Sequence, residues 1–172
     1  SGIKIGDAVR EMTSDSNINK TDSNAKVELE DWFKNILLKY ANSIDDTIWC
    51  NDRSISSLGA FSTTGSSYLF YKPYNRATTK NINLKCENDV DNFSLSNPLA
   101  KLNYPIGLLT SDEVKLAGVA SIDVVNTNYY LYTKSYYWTM SPSVFNPAGS
   151  GAYGFNVDTS GYLSDDRVSV AN

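Results

Sequence analysis

The chain has 172 residues and a net charge of −4, with 41% hydrophobic and 20% charged residues, which fits one folded domain and is too weakly charged for intrinsic disorder. It contains no histidine. Imidazole is thereby removed as general base, nucleophile partner and metal ligand, and most hydrolase triads and zinc sites go with it. The acidic balance repels a phosphate backbone, and Lys72, Arg76, Lys80 and Lys85 are too dispersed to offset it, so nucleic acid is not an expected partner. No run of about 18 apolar residues is present, so any membrane attachment is expected through a segment outside this chain.

Residues 1–23 read as a polar N-terminal segment, beginning with a Ser1-Gly2 expression remnant, and 24–172 as a single domain. From Asn24 to Ala41 the residues Leu29, Trp32, Phe33, Ile36, Leu37 and Tyr40 recur at helical spacing, with Asp22 or Ser23 as N-cap. This stripe is expected to pack on the core, where Trp32→Ala would cost about 3–5 kcal/mol. Thr47 to Cys50 reads as a short strand, followed by the polar turn Asn51-Asp52-Arg53-Ser54. Small and polar residues surround Leu58, Ala60 and Phe61, and Tyr68 to Tyr71 is a brief aromatic strand.

Asn75 to Pro98 is expected to be mostly loop, pinned to the body by Cys86. The only thiols, Cys50 and Cys86, flank this long polar stretch and read as a disulfide; two separate buried thiols are the alternative. Thr110-Ser111-Asp112-Glu113 is a capping box opening a short helix, and Gly118 is placed to end it at positive φ. Beyond Ser121 the apolar or alternating runs Ile122–Val124, Tyr129–Tyr132, Tyr136–Met140, Ala152–Val157 and Val168–Val170 read as strands. A hairpin turn over 157–163 places Gly161 at positive φ. The chain is rich in Tyr (12), Asn (18) and Ser (22), a composition suited to β-structure with polar loops.

Several segments together resemble a known pattern. Tyr137-Trp138-Thr139-Met140-Ser141-Pro142, then Ala152 to Val157 and Gly161-Tyr162-Leu163, look like the YW-x-x-SP … DG-x-L pattern of an uncharacterised domain family. That family is common in secreted, surface-attached and prepilin-like proteins of Gram-positive gut bacteria. Trp32-Phe33-Lys34-Asn35, Asp46 to Ser54 and Tyr104 to Gly118 match the same kind of protein. Such domains are similar, more distantly, to the C-type-lectin-like fold of formylglycine-generating enzymes. The resemblance implies an α+β fold with two helices, a twisted and mainly antiparallel sheet and long loops, located outside the cell or on its surface. Family members usually continue past the last strand with a Gly-Val-Arg-Pro segment that this sequence lacks, so the resemblance implies a closing strand that is missing, disordered or part of another piece of the molecule.

The enzyme chemistry of that fold does not transfer, because its cysteines lie in the C-terminal half and residues 87–172 contain none. Trp49-Cys50-Asn51-Asp52 imitates a lectin calcium triplet but is interrupted by Cys50. Asn156, Asp158, Ser160 and Gly161 imitate an EF-hand start, yet Arg167 stands where a bidentate Glu is required. No metal and no cofactor is expected. The candidate binding residues are Trp138, Ser141, Ser143, Phe145 and Asn146 around the loop after Met140, where aromatic faces and small polar groups suit a sugar. Asn51, Asp52 and Arg53 form a second candidate group, with loop ion-pairing as its plainer role. The expected function is non-catalytic recognition of a host or bacterial surface glycan or protein. The alternative is the ectodomain of a pilin-like appendage subunit.

Overall fold

A computed structural model describes residues 19, 22–56, 66–119, 122, 124–148 and 151–168. Most of the polar leader, the stretch around Leu58 to Phe61, and Val170 lie outside the described residues. The fold is α+β. Helices α1 (Asn24–Trp32), α2 (Lys72–Thr79) and α3 (Ser111–Leu116) accompany strands β1 (Trp49–Cys50), β2 (Leu69–Phe70), β3 (Asn92–Phe93), β4 (Tyr137–Asn146), β5 (Gly151–Val157) and β6 (Leu163–Arg167). The strands form an antiparallel four-stranded sheet of order β2-β4-β5-β6 and a separate antiparallel pair, β1-β3.

One face of the larger sheet carries Phe155 and Val157 and is covered by α2 and α3 through Ala77 and Val114, with Tyr74 stacked at 6.5 Å from Phe155. The other face carries Phe145 and Ala152, packed with Tyr71, Val168 and Trp138. Phe93, Ala100 and Leu102 build a third apolar cluster around the β1-β3 pair, with Trp49 against it.

Strand β4 is irregular. Between Trp138 and Pro142 it advances four residues while β5 advances two, from Asn156 to Gly154, and one more extra residue follows before Val144. Pro142 has no N–H to give the ladder, which favours the interruption at this point. The freed backbone is used elsewhere: the Met140 amide donates to the Leu109 carbonyl at 2.8 Å, and the Ser111 amide donates to Ser141 Oγ at 3.0 Å. The bulges thus fasten β4 to the segment leading into α3.

The first helix begins as expected, with Ser23 Oγ accepting from the Lys26 amide at 3.1 Å. Its continuation differs, because the winding widens to a π turn over Phe33–Leu37 and then tightens to a 3-10 turn over Leu38–Ser43. The apolar stripe is not the buried face. Trp32 is 49% exposed, Ile36 54% and Tyr40 51%, while Ser23, Lys26, Glu30 and Phe33 are buried.

Charge pairing explains the reversal. Lys26 Nζ lies 2.7 Å from Asp22 and 3.4 Å from Glu30, and Glu30 accepts from the Asn103 amide at 2.8 Å and its side chain at 2.7 Å. Phe33 alone of the stripe is fully enclosed, stacked on Tyr104 at 5.1 Å. Trp32→Ala is therefore expected to cost about 1 kcal/mol or less in a denaturant titration, not the 3–5 of a core tryptophan; a loss above about 2 kcal/mol would show that this face is covered.

Among the described residues three α-helices are present where two were expected, since α2 occupies part of the stretch read as loop. Pro73 sits in the first turn, where its missing N–H removes no bond, and Lys80 ends the helix with φ of 60°. Of the run at Ile122–Val124 only Ile122 and Val124 are described, and neither they nor Tyr129–Tyr132 belong to the strands of either sheet. Ile122 makes a lone parallel bridge to Leu163, and the Tyr132 amide donates back to the Tyr129 carbonyl in a turn.

The other sequence signals hold. Thr110 and Glu113 form the reciprocal capping box, and Gly118 follows α3 with φ of 127°. Gly161 adopts φ of 79° in the β5-β6 turn, where a Cβ would stand 2.2 Å from the Asn126 carbonyl oxygen. Cys50 and Cys86 are joined in a disulfide. Among the described residues no helix is long and apolar enough to cross a membrane.

Candidate functional site

Strand β1 is shorter than the expected 47–50, covering only Trp49 and Cys50, and its partner Phe93 holds Trp49 in register. The Asn51 amide continues the pairing by donating to the Asp91 carbonyl at 3.0 Å. In extended chain alternate residues share a side, so Trp49 and Asn51 lie together while Cys50 turns away to Cys86. The Trp49 ring rests on Gly107, where any Cβ would come within 2.7 Å of the indole. Only glycine admits that approach.

This edge faces the bulged part of β4 across a cavity of about 90 Å³. Trp49, Phe93 and Leu102 form one wall; Trp138, Thr139, Met140 and Ser141 form the opposite one. Helix α1 supplies Ala25, Lys26 and Leu29, and the 106–108 segment supplies Ile106, Gly107 and Leu108. Thr139 is fixed by donating to the Phe155 carbonyl at 2.9 Å, and Lys26 is held by its two carboxylates. Among the described residues the lining carries no Asp, Glu or Cys.

Two buried polar groups on the Trp49 edge have no hydrogen-bond partner among the described residues: the indole N–H of Trp49 and the side-chain oxygen of Asn51, a residue only 5% exposed. An orphaned buried polar atom costs about 1–3 kcal/mol. Asn51→Leu, which keeps the approximate shape and removes the orphan, is therefore expected to match or exceed the wild-type melting temperature. A marked fall in melting temperature would show that the amide has a structural partner.

The candidate residues separate into different roles. Trp138, Ser141 and Asn51, which come from the two groups, meet in this one cavity. Ser143 does not join them: it is fully buried and donates to Asp165 at 2.6 Å. Phe145 belongs to the core and Asn146 to the end of β4, paired with Gly151.

Asp52 and Arg53 are engaged in ion pairs, though not with each other. Arg53 Nε lies 2.5 Å from Asp91 Oδ1, and its guanidinium also donates to the Val90 carbonyl and stands 5.9 Å over the Phe93 ring. Asp52 accepts from Arg76 Nη1 at 2.7 Å, and the same guanidinium binds Asp112 Oδ2 through Nη2 at 2.7 Å and Nε at 2.9 Å. Burial opposes the charge on Arg76, but its hydrogen bonds to Asp112 and Asp52 and their negative charges outweigh it and raise its pKa. Lys115 beside them donates to the Arg76 and Asn81 carbonyls, and burial lowers its pKa.

These neighbouring charges tie α2, α3 and the disulfide-linked segment together and leave no free carboxylate pair there. Among the described residues no group of three or more His, Cys, Asp or Glu is arranged to hold a metal ion.

No protein-family model, curated protein or solved structure matches this chain. The cavity is accordingly argued from its own chemistry. Phe93, Leu102, Ile106 and Leu108 are among the lining residues that were not candidate binding residues in the sequence. The alternation of Trp49 with Asn51 on an extended segment was a usable signal. Phe93 and Leu102 join through non-local pairing and carried none.

Proposed function

We propose that the chain is a non-catalytic recognition module, secreted or displayed on a bacterial surface, with the cavity between Trp49 and Trp138 as its binding site. The observation that carries this reading is a largely apolar, aromatic-walled cavity bordered by unpartnered buried polar groups on Asn51 and Trp49. Ligand sites commonly combine an apolar wall with a few placed polar atoms. The non-catalytic part rests on the lining, which holds no carboxylate or thiol, and on a sequence without histidine. The disulfide supports the extracellular placement, because such bonds persist in oxidising compartments.

The finer fold reading is a C-type-lectin-like frame of the uncharacterised Gram-positive surface family. Its support is the YW-x-x-SP segment on β4, the Gly161 turn and the long loops between short elements. Partners in this reading are host or bacterial surface glycans or proteins.

A glycan array and a panel of surface proteins, probed with wild type and with Ala25→Leu, provide the test. The substitution adds an isopropyl group to the cavity wall on a helix that tolerates leucine. At least one array member is expected to bind wild type and to lose binding in Ala25→Leu. Binding that ignores Ala25→Leu, or none with or without calcium, would remove the reading.

The second reading, a pilin-like ectodomain, is favoured by one observation: Val27, Trp32, Ile36 and Tyr40 leave an apolar surface open along the first helical segment. It is supported by concentration-dependent assembly that Trp32→Glu abolishes, and excluded if the protein sediments as a monomer across its soluble range.

A further inference from the structure

We infer that the cavity takes an acetamido group, presented by an N-acetylated sugar; this rests on the cavity being the recognition site. Size comes first. A volume of about 90 Å³ is smaller than the roughly 150 Å³ of a cavity that binds benzene, which suits a group of a few heavy atoms and favours a substituent over a whole pyranose ring.

Chemistry narrows the substituent. Leu29, Phe93, Leu102, Ile106 and Met140 offer apolar wall, whereas Asn51 and Trp49 hold an unpaired acceptor and an unpaired donor on the same side of one extended segment. A hydroxyl satisfies polar atoms but leaves the apolar wall unfilled, and an alkyl group does the reverse. An acetamido group does both, with its methyl on the wall, its N–H donating to Asn51 and its carbonyl accepting from the Trp49 indole. It is also neutral, as befits a wall whose one cation, Lys26, is already paired.

Both polar atoms are sealed from solvent in this conformation, so Asn51 meets the ligand through rotation of its carboxamide, and the Trp49 indole N–H meets it once the side chains over that edge move aside. That terminal torsion is broad and cheap to turn.

The ring that carries the group stays at the mouth. Trp138 is half-buried there, and Tyr136 stands edge-on to it at 5.5 Å and 41% exposed, extending an aromatic surface of the kind on which a sugar face stacks. This continuity favours a sugar over an acetylated peptide.

The test is a ¹⁵N-edited NMR titration of the whole chain with N-acetylglucosamine, glucose and Nε-acetyllysine methylamide. It follows the Trp49 indole and Asn51 side-chain signals. N-acetylglucosamine is expected to shift both signals saturably, with glucose at least about tenfold weaker, and Asn51→Leu and Ala25→Leu are each expected to abolish the response. Equal responses to N-acetylglucosamine and glucose, or none to either, would overturn the acetamido assignment. A response to Nε-acetyllysine methylamide alone would overturn the sugar.

The wider reading fails separately. If an array ligand without an acetamido group binds and Ala25→Leu blocks it, recognition at the cavity stands and the ligand class falls. If nothing binds at all, both fall.

Discussion

Replacing Asp112 by alanine is expected to lower the unfolding free energy by about 3–5 kcal/mol in a urea titration, because it strips one of two carboxylates from a largely enclosed guanidinium. Arg76 keeps Asp52, so the loss comes from the Arg76 Nε and Nη2 donors and the Asn83 amide, which are left without their acceptor. Arg76→Met should be at least as damaging. It leaves Asp52 and Asp112, both almost fully enclosed, without a cation. Glu87→Ala supplies the comparison, since Glu87 pairs with Lys72 at an exposed position and should contribute no more than about 1 kcal/mol. A loss below about 1 kcal/mol for Asp112→Ala would mean that water reaches the triad and screens it.

Opening the disulfide is expected to be similarly severe. Cys50 and Cys86 are 36 residues apart, and in the chain-entropy picture a loop of that length is worth about 4 kcal/mol. Reduction, or Cys50→Ser with Cys86→Ser, should therefore lower the unfolding midpoint strongly. The effect on binding should be larger than stability alone implies, because Trp49 and Asn51 flank Cys50 and depend on its strand for their position. A melting temperature that is indifferent to reductant would show that the β3 pairing and the Arg53–Asp91 contact suffice to hold the segment.

How far the sequence could be read depended on the range of the interaction. The α3 capping box and the Gly161 turn are written within a few residues, because the groups that satisfy each other are neighbours in the chain. Helix α2 was overlooked for a related reason: Lys72 to Thr79 has little apolar periodicity, and its stability comes from Ala77 against the core and Arg76 against two distant carboxylates. On α1 the period was right and the buried side wrong. Helical spacing identifies a stripe but not what lies opposite, and here Asn103 and Tyr104 receive Glu30 and Phe33 and leave Trp32 outside.

The site shows the same division. Trp138 and Ser141 were legible from their aromatic and small polar surroundings on one strand. Their meeting with Asn51, Phe93 and Leu102 is a product of topology and of an irregular register in β4 that no local rule encodes. Asp52 and Arg53 attracted notice as an acid–base pair in sequence, yet each found its partner more than twenty residues away.

Cover on both faces of the sheet also governs how β4 accepts substitution. In a regular strand with one covered face, every second position is tolerant. Along 139–145 both parities are enclosed: Thr139, Ser141 and Ser143 hold polar contacts, while Pro142, Val144 and Phe145 fill packed space. Mutational tolerance therefore loses its period of two across this stretch. Drift in sequence is pushed instead to the exposed side of the first helical segment, which can change its outward chemistry without disturbing the frame.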